Sequence, residues 1–179
     1  MINNLKDYSN YCNAITFAFS KYGELKRKSQ NIPYVVHPIR ITAILRAAGI
    51  NENDNEEIMI ATLFHDLIED TETPLEEIEA QFGTKIASIV MELTKPVKGK
   101  KDDWLKTFKT ASKEAKIIKM ADRLDNLIDM TSESWKIKKQ KSYAEQAKII
   151  LETCGSAHNE IALKLQEEIE KKKFTLNNI

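Results

Sequence analysis

The segment from Ile58 to Asp70 is a run of mostly apolar residues into which four ionisable side chains are set. Its apolar residues would lie on nearly every side of a helix, so a helix formed here must be buried: Ile58, Met59, Ile60, Ala61, Leu63, Phe64, Leu67 and Ile68. The ionisable polar residues are His65, Asp66, Glu69 and Asp70. A buried carboxylate persists only beside a cation, a metal or hydrogen-bond donors. The segment therefore predicts a buried helix that carries a polar site.

The spacing of these polar residues predicts how they meet. Positions three and four apart share a helix face, so on one continuous helix His65 lies over Glu69, and Asp66 lies over Glu69 and Asp70. One imidazole and three carboxylates would then converge. The alternative is an acidic patch on a solvent-facing side of the helix. The flanking apolar residues leave no wide polar face, which favours the buried site.

The chain as a whole is predicted to be all-α. Only five glycines and four prolines interrupt it, and no stretch alternates strictly between apolar and polar residues as a half-buried strand does. We expect one domain over residues 1–179, with the motif-bearing part at about 15–130 and C-terminal helices over 134–173. The predicted helices span 4–22, 37–48, 54–70, 74–81, 84–94, 102–109, 112–130, 134–153 and 157–173.

Charge and cysteine content limit the classes of partner. Lys plus Arg equals Asp plus Glu at 27 each, so no overall basic field would recruit nucleic acid or an anionic membrane. Cys12 and Cys154 lie far apart without spaced metal partners and are predicted to be ordinary thiols of a reducing compartment. The N-terminal residues lack the basic and apolar pattern of a leader. We expect a cytoplasmic protein that acts on a small molecule, and the sequence does not indicate its oligomeric state.

Two further segments carry groups that complement the acidic helix. His37 ends an irregular loop, and the segment 117–130 would place Lys119, Asp122, Arg123 and Asn126 on one helix face. His37, His65, Asp66 and Asp122 together would offer two imidazoles and two carboxylates. A mixed nitrogen and oxygen set of this kind suits Mn²⁺, Fe²⁺ or Zn²⁺.

Several other polar and aromatic residues have more ordinary interpretations. The lysines between residues 95 and 101 are either a clamp for polyphosphate or a solvated loop. His158 is predicted to be a surface or capping residue. Trp104 and Trp135 are predicted to be packing anchors rather than surfaces on which a base stacks.

Four blocks of this sequence resemble one family of enzymes. They are RKSQNIPYVVHP (27–38), ATLFHDLIEDT (61–71), TPLEEIEAQFGTKIASIVMELTK (73–95) and IIKMADRLDNL (117–127). An HDxxED motif with PYxxHP upstream and KxADRxxN downstream is similar to HD-domain metal-dependent phosphohydrolases. Within them the chain most resembles the (p)ppGpp hydrolase domain of RelA/SpoT-type alarmone enzymes and the stand-alone small alarmone hydrolases.

The resemblance implies a single helical bundle around a mononuclear metal site. It implies that the metal ligands are His37, His65, Asp66 and Asp122, that Glu69 and Asp70 form the catalytic acidic pair, and that Arg27 and Lys28 contact the guanine and the rest of the substrate. It also implies that Asn126 contacts the nucleoside, with Lys119 and Arg123 at the structural and electrostatic positions around it.

The activity that the resemblance implies is hydrolysis of the 3′-pyrophosphate of guanosine tetra- or pentaphosphate to GDP or GTP, with Mn²⁺ as the usual ion. Hydrolysis alone is expected, without a synthetase domain. A phosphatase acting on another nucleotide, such as a nucleoside monophosphate or NADPH, is the alternative within the superfamily. A nucleotide-binding module without catalysis is a third hypothesis, which the complete set of ligands and acids disfavours.

The chain departs from the family pattern at one place. Tyr22, Glu24 and Leu25 stand where family members commonly have His, Gly and Gln. If Glu24 faces the pocket, its charge opposes a polyanionic substrate. If Glu24 faces solvent and Tyr22 replaces the missing side chain structurally, the alarmone remains the expected substrate.

Overall fold

The structure, a computed structural model, describes residues 8–27, 31–130 and 135–177, and it confirms the all-α prediction. Over these residues the only β-type pairing is an isolated bridge between Lys26 and Pro33. The α-helices are α1 Ser9–Tyr22, α2 Val36–Ala47, α3 Glu56–Phe64, α4 Leu67–Asp70, α5 Leu75–Phe82, α6 Thr84–Leu93, α7 Lys101–Thr107, α8 Lys113–Asp129, α9 Ile137–Cys154 and α10 Asn159–Asn177. Short 3₁₀ turns, Phe108–Thr110 and Gly155–Ala157, follow α7 and α9. None of the described helices is long and apolar enough to cross a membrane.

The prediction of one continuous helix over 54–70 is wrong. The helix stops after Phe64, Asp66 leaves the helical conformation with φ −111° and ψ 1°, and α4 is a separate single turn. A helix end exposes carbonyls that need donors. His65 Nδ1 lies 2.8 Å from the carbonyl of Thr62, and the Tyr22 hydroxyl donates to the carbonyl of Leu63 at 3.3 Å.

Helix α3 is the buried helix that the sequence predicts. Every residue from Ile58 to Phe64 is buried, and α3 packs against α1, α2, α6 and α8. Phe17, Phe64 and Phe82 form an aromatic cluster at one side of it, with ring centroids 4.8–5.3 Å apart. This packing fixes the C-terminal end of α3, where the polar residues begin.

Helix α8 is the second central helix. The Ser112 hydroxyl accepts a hydrogen bond from the backbone N–H of Ala115, which caps its N-terminus. Its apolar residues pack against α2, α3, α6, α9 and α10. The first turn of α2, the break between α3 and α4, and the middle of α8 therefore meet inside the molecule, and the polar residues of all three face one another.

Candidate metal centre and adjoining cleft

His37, His65 and Asp122 form a buried cluster of possible metal ligands. One ligand atom from each lies within 4.8 Å of the other two. His37 Nε2 is 3.3 Å and His65 Nε2 is 3.9 Å from the same carboxylate oxygen, Oδ1 of Asp122. Three segments that are distant in sequence thus bring two imidazoles and a carboxylate to one point.

The hydrogen bonds of the two imidazoles leave the same atom, Nε2, directed at this point. A carbonyl oxygen only accepts, so His65 Nδ1 donates to Thr62, and in the neutral ring that a metal would bind the lone pair lies on Nε2. That Nε2 atom is buried without a hydrogen-bond partner. His37 Nδ1 is hydrogen-bonded to the Asp125 carboxylate at 2.7 Å. Metal-binding histidines show this arrangement, in which the second ring nitrogen is held by an acceptor.

Asp66 completes the group on its more open side. Its Oδ2 lies 2.9 Å from His65 Nε2, out of line for a hydrogen bond, and 3.8 Å from His37 Nε2. The Tyr34 hydroxyl donates to the same oxygen at 2.6 Å. The Asp66 side chain is 20 % exposed, against 8 % for that of Asp122. The four residues that the resemblance implies as ligands are therefore together, and they suit a divalent ion.

The electrostatics of this group favour a bound cation. Burial alone would lower the pKa of His65, but the carboxylates of Asp66 and Asp122 outweigh it and raise the pKa to about 9. Burial opposes the ionisation of Asp66 and Asp122. The His65 imidazole nevertheless holds the pKa of Asp66 below its ordinary value, and the Lys119 ammonium chiefly does the same for the pKa of Asp122. The two carboxylates thus stay charged and attract positive charge between them.

The two predicted catalytic acids lie on α4, just beyond the break. The backbone N–H of Lys95 donates to Glu69 Oε1 at 2.6 Å, which fixes one oxygen of this carboxylate. Glu69 is exposed, but partial desolvation raises its pKa, the Lys95 hydrogen bond partly offsets that rise, and the charges of Asp66 and Asp70 add to it. Glu69 is thus close to the metal cluster and better able to accept a proton than an ordinary glutamate.

A solvent-accessible cleft of about 210 Å³ adjoins the cluster. Asn126 connects the cleft with the cluster, because its amide donates to Asp122 Oδ1 at 2.6 Å. Trp135 and Tyr143 form an edge-to-face pair in the wall, with ring centroids 4.9 Å apart, and Lys139 lies 4.1 Å over the Trp135 ring. The wall is completed by Lys26, Arg27, Tyr34, Asp70 and Asp129. Trp135 thus lines the cleft as well as packing against Tyr143.

Three cations surround Tyr143 and Asp122. Lys119 donates to Asp122 Oδ2 at 3.0 Å, and buried Arg123 lies 3.7 Å over the Tyr143 ring and donates to the Tyr143 carbonyl. Half-buried Lys101 lies 5.1 Å over the same ring. Burial and then the charges of Arg123 and Lys119 lower the pKa of Lys101 to about 8. Of the lysine-rich loop, Lys98 and Lys100 are solvated, whereas Lys101 packs against Tyr143 of the cleft wall.

Arg27 and Lys28 were predicted to contact the substrate. Arg27 lines the cleft but is 8 % exposed, because its guanidinium pairs with Asp129 at 2.6 Å. Lys28 lies outside the described residues.

The departure from the family pattern has a structural explanation. Tyr22 is 1 % exposed, and its hydroxyl caps the carbonyl of Leu63 at the end of α3. Glu24 is exposed, and Leu25 is 39 % exposed. Neither Glu24 nor Leu25 lines the cleft beside the metal cluster. The arrangement agrees with the interpretation that Tyr22 is structural and Glu24 faces solvent.

Sequence reasoning missed the residues that hold the predicted ones in place. Asp125 and Asp129 continue the face of α8 that carries Asp122, at positions i+3 and i+7, and they pair with Arg40 on α2. The repeated aspartates in an otherwise apolar helix were the available signal. Tyr34, which bonds Asp66, stands in the PYxxHP block but was not singled out as a functional residue.

Comparison with known proteins shows which proteins this chain is similar to. The family model described as "HD domain" matches residues 14–151. A Danio rerio protein named guanosine-3′,5′-bis(diphosphate) 3′-pyrophosphohydrolase MESH1 is 32 % identical over 86 % of this chain and 88 % of its own length. The Drosophila melanogaster protein of the same name is 30 % identical over 88 % of this chain and 91 % of its own length.

A solved structure shows the same architecture. The structure described as a metazoan ortholog of SpoT that hydrolyses ppGpp superposes with a TM-score of 0.81 at 29 % identity, covering 92 % of this chain and 96 % of its own. A Listeria monocytogenes protein superposes with a TM-score of 0.61 at 27 % identity, over 76 % of this chain and 97 % of its own.

Proposed function

This chain belongs to the HD-domain family, and from that premise we propose that it hydrolyses the 3′-pyrophosphate of guanosine tetra- or pentaphosphate, releasing pyrophosphate and GDP or GTP. The observation that carries the proposal is that the buried Nε2 atoms of His37 and His65 are both directed at the carboxylates of Asp66 and Asp122. The chain that holds them is 30–32 % identical to enzymes named for this reaction. The cleft beside the cluster carries cationic, amide and aromatic groups that complement a nucleotide.

Within this proposal His37, His65, Asp66 and Asp122 hold one divalent ion. Two nitrogen and two oxygen donors suit Mn²⁺, which we propose as the ion, because its preferences lie between those of Mg²⁺ and Zn²⁺. When bound, such an ion supplies Lewis acidity, which makes water more acidic and neutralises phosphate charge. The proposed enzyme is a single domain and acts in the cytoplasm.

Glu69 and Asp70 orient the attacking water and accept its proton. Glu69 suits this role because its carboxylate is held by the Lys95 N–H and its pKa is raised by partial desolvation, while it stays open to solvent. The water oxygen forms a bond to the phosphorus attached to the 3′ oxygen of the ribose. The bond from that phosphorus to the 3′ oxygen breaks, and the 3′ oxygen takes the proton that the acidic pair accepted from the water, which gives the hydroxyl of the nucleotide product and restores the carboxylate.

The walls of the cleft position the charged substrate. Lys101, whose ammonium lies over the Tyr143 ring of that wall, neutralises phosphate charge, while buried Lys119 and Arg123 strengthen the positive potential there. Asn126 and the planar guanidinium of Arg27 contact the nucleoside, as does Lys28. Trp135 and Tyr143 supply aromatic surface at the outer part of the cleft.

The test of the proposal is product identity. Purified protein loaded with Mn²⁺ should convert guanosine tetraphosphate into GDP and pyrophosphate, separated by ion-exchange chromatography. Nucleoside monophosphates and NADPH, offered in parallel, should be turned over at least about a hundredfold more slowly in kcat/KM. Inorganic phosphate released from one of them, with the alarmone untouched, would instead identify a phosphatase. Binding without turnover of any nucleotide would identify a sensor.

The lowered pKa of Lys101 predicts a pH dependence of kcat/KM for guanosine tetraphosphate. Below about pH 8 the ammonium is charged and attracts the polyanion; as the pH rises through about 8 the charge is lost. We expect kcat/KM to fall roughly tenfold, the loss of one charged hydrogen bond. Arginine stays charged in this range, so Lys101→Arg should flatten the fall. Lys100→Arg, at an exposed neighbour, should keep the wild-type profile, and identical profiles for all three proteins would contradict the prediction.

The exposed position of Glu24 predicts that its charge does not affect the substrate. Glu24→Gly should change the KM for guanosine tetraphosphate by less than about twofold, with kcat unchanged, because an exposed charge is screened by solvent. Glu24→Gln removes the charge without altering the backbone and serves as the control. A large drop in KM in both variants would show that the carboxylate opposes substrate binding after all.

A further inference from the structure

Two arginines and two aspartates form a cluster on the side of His37 that faces away from Asp122. Arg40 Nε is 2.7 Å from Asp125 Oδ1, and Arg40 Nη1 is 3.0 Å from Asp129 Oδ1. Arg27 Nη2 is 2.6 Å from Asp129 Oδ2 and 3.7 Å from Asp125 Oδ2. The loop after α1, helix α2 and helix α8 are thereby cross-linked by four side chains.

The hydrogen bond from this cluster to His37 has one possible direction. The Asp125 carboxylate is paired with arginine and has only acceptor oxygens, so His37 Nδ1 is the donor of the 2.7 Å bond to Asp125 Oδ2. In the neutral ring the lone pair then lies on Nε2, the atom that faces Asp122 and Asp66. Asp125 thus selects the tautomer that can bind a metal.

The two histidines of the centre are held by acceptors of different strength. His65 donates to a neutral backbone carbonyl, whereas His37 donates to a charged carboxylate. A charge-assisted hydrogen bond is the stronger of the two and increases electron density on the imidazole. The Asp125 side chain is 1 % exposed and pinned by Arg40, so the His37 ring has little freedom to rotate.

We propose that Asp125 is a positioning residue for the metal centre, which orients His37 through Nδ1 and strengthens the Nε2 ligand, while Arg40 and Arg27 hold Asp125 in place. This inference rests on the metal site of the proposed function. On this inference the Arg27 guanidinium helps to hold Asp125 in place, in addition to lining the cleft.

The test compares two substitutions within the same cluster. Asp125→Asn keeps the shape of the side chain and removes its charge, so the metal affinity should fall at least about tenfold. Asp129→Asn removes a charge paired with the same two arginines but leaves the His37–Asp125 hydrogen bond, so the affinity should fall less than about threefold. The readout is the Zn²⁺ dissociation constant of the full-length metal-free protein, measured by competition with a chromophoric chelator.

Each outcome of this comparison decides the inference. Equal losses in the two variants would show a merely structural cluster and would overturn it, as would an Asp125→Asn protein with wild-type affinity. A wild-type protein that binds no Zn²⁺ would overturn the metal site itself and the inference with it.

A measurement on the wild-type protein keeps the inference testable if Asp125→Asn fails to fold. The chain has three histidines, so nitrogen-15 NMR of the Zn²⁺-loaded protein can assign the ring protons. A proton on His37 Nδ1 supports the proposal. A proton on His37 Nε2 overturns it.

Discussion

Replacing His65 with alanine is expected to remove both metal binding and hydrolysis. The wild-type protein should hold about one divalent ion per chain, and the variant almost none, because the Nε2 atom of His65 is buried between Asp66 and Asp122 without another role in hydrogen bonding. Turnover of guanosine tetraphosphate should fall at least about a thousandfold, since charge stabilisation at the phosphate is lost. Elemental analysis and a turnover assay measure the two effects.

His158 supplies the matched control for this substitution. It precedes α10, and its Nδ1 lies 3.5 Å from the backbone nitrogen of Ile161. His158→Ala should therefore keep its metal and retain turnover within about twofold of the wild type. A folded His65→Ala protein that retained both the ion and full activity would show that the centre has been placed on the wrong residues.

Replacing Glu69 with glutamine is expected to separate chemistry from metal binding. The amide still fits the space beside the Lys95 N–H, but it no longer accepts a proton. We expect wild-type metal content and a fall in kcat of about a hundredfold or more, which is typical of a positioned general base. The KM should change little, because the lost interaction acts in the transition state.

An acid close to Glu69 in sequence tests the specificity of this effect. Glu72 is exposed and lies just beyond α4, so Glu72→Gln should retain kcat within about twofold. Loss of the metal together with activity in Glu69→Gln would assign Glu69 to the ligand set instead.

Local sequence patterns were sufficient for the fold class and the burial of α3. The apolar residues of α3 lie on every side of the helix, a property of the sequence alone, and all of them from Ile58 to Phe64 are buried. The break after Phe64 was missed because the same periodicity continues through Leu67 and Ile68. The last carbonyls of the helix are taken by the neighbouring His65 ring and by the Tyr22 hydroxyl, and the second of these is a tertiary contact that helix periodicity does not indicate.

The supporting contacts of the site required the packed structure. The convergence of His37, His65 and Asp122 could be expected only from the resemblance to the family, because no local sequence pattern relates segments so far apart. The pairing of Arg40 with Asp125 joins two helices, and helix periodicity predicts only which residues share a face on one helix. Lys101 likewise differs from Lys98 and Lys100 because Tyr143 packs beside it, which composition could not indicate.

The way in which α2, α8 and the break after α3 meet has a consequence for how the molecule folds. The groups that converge there come from distant parts of the chain, so the centre is complete only once α2, α8 and the break after α3 have packed together. An ion that binds only the completed arrangement stabilises the native state by mass action and acts as a reversible cross-link. Conformational stability and catalytic competence then depend on the same metal concentration, and a chelator lowers both.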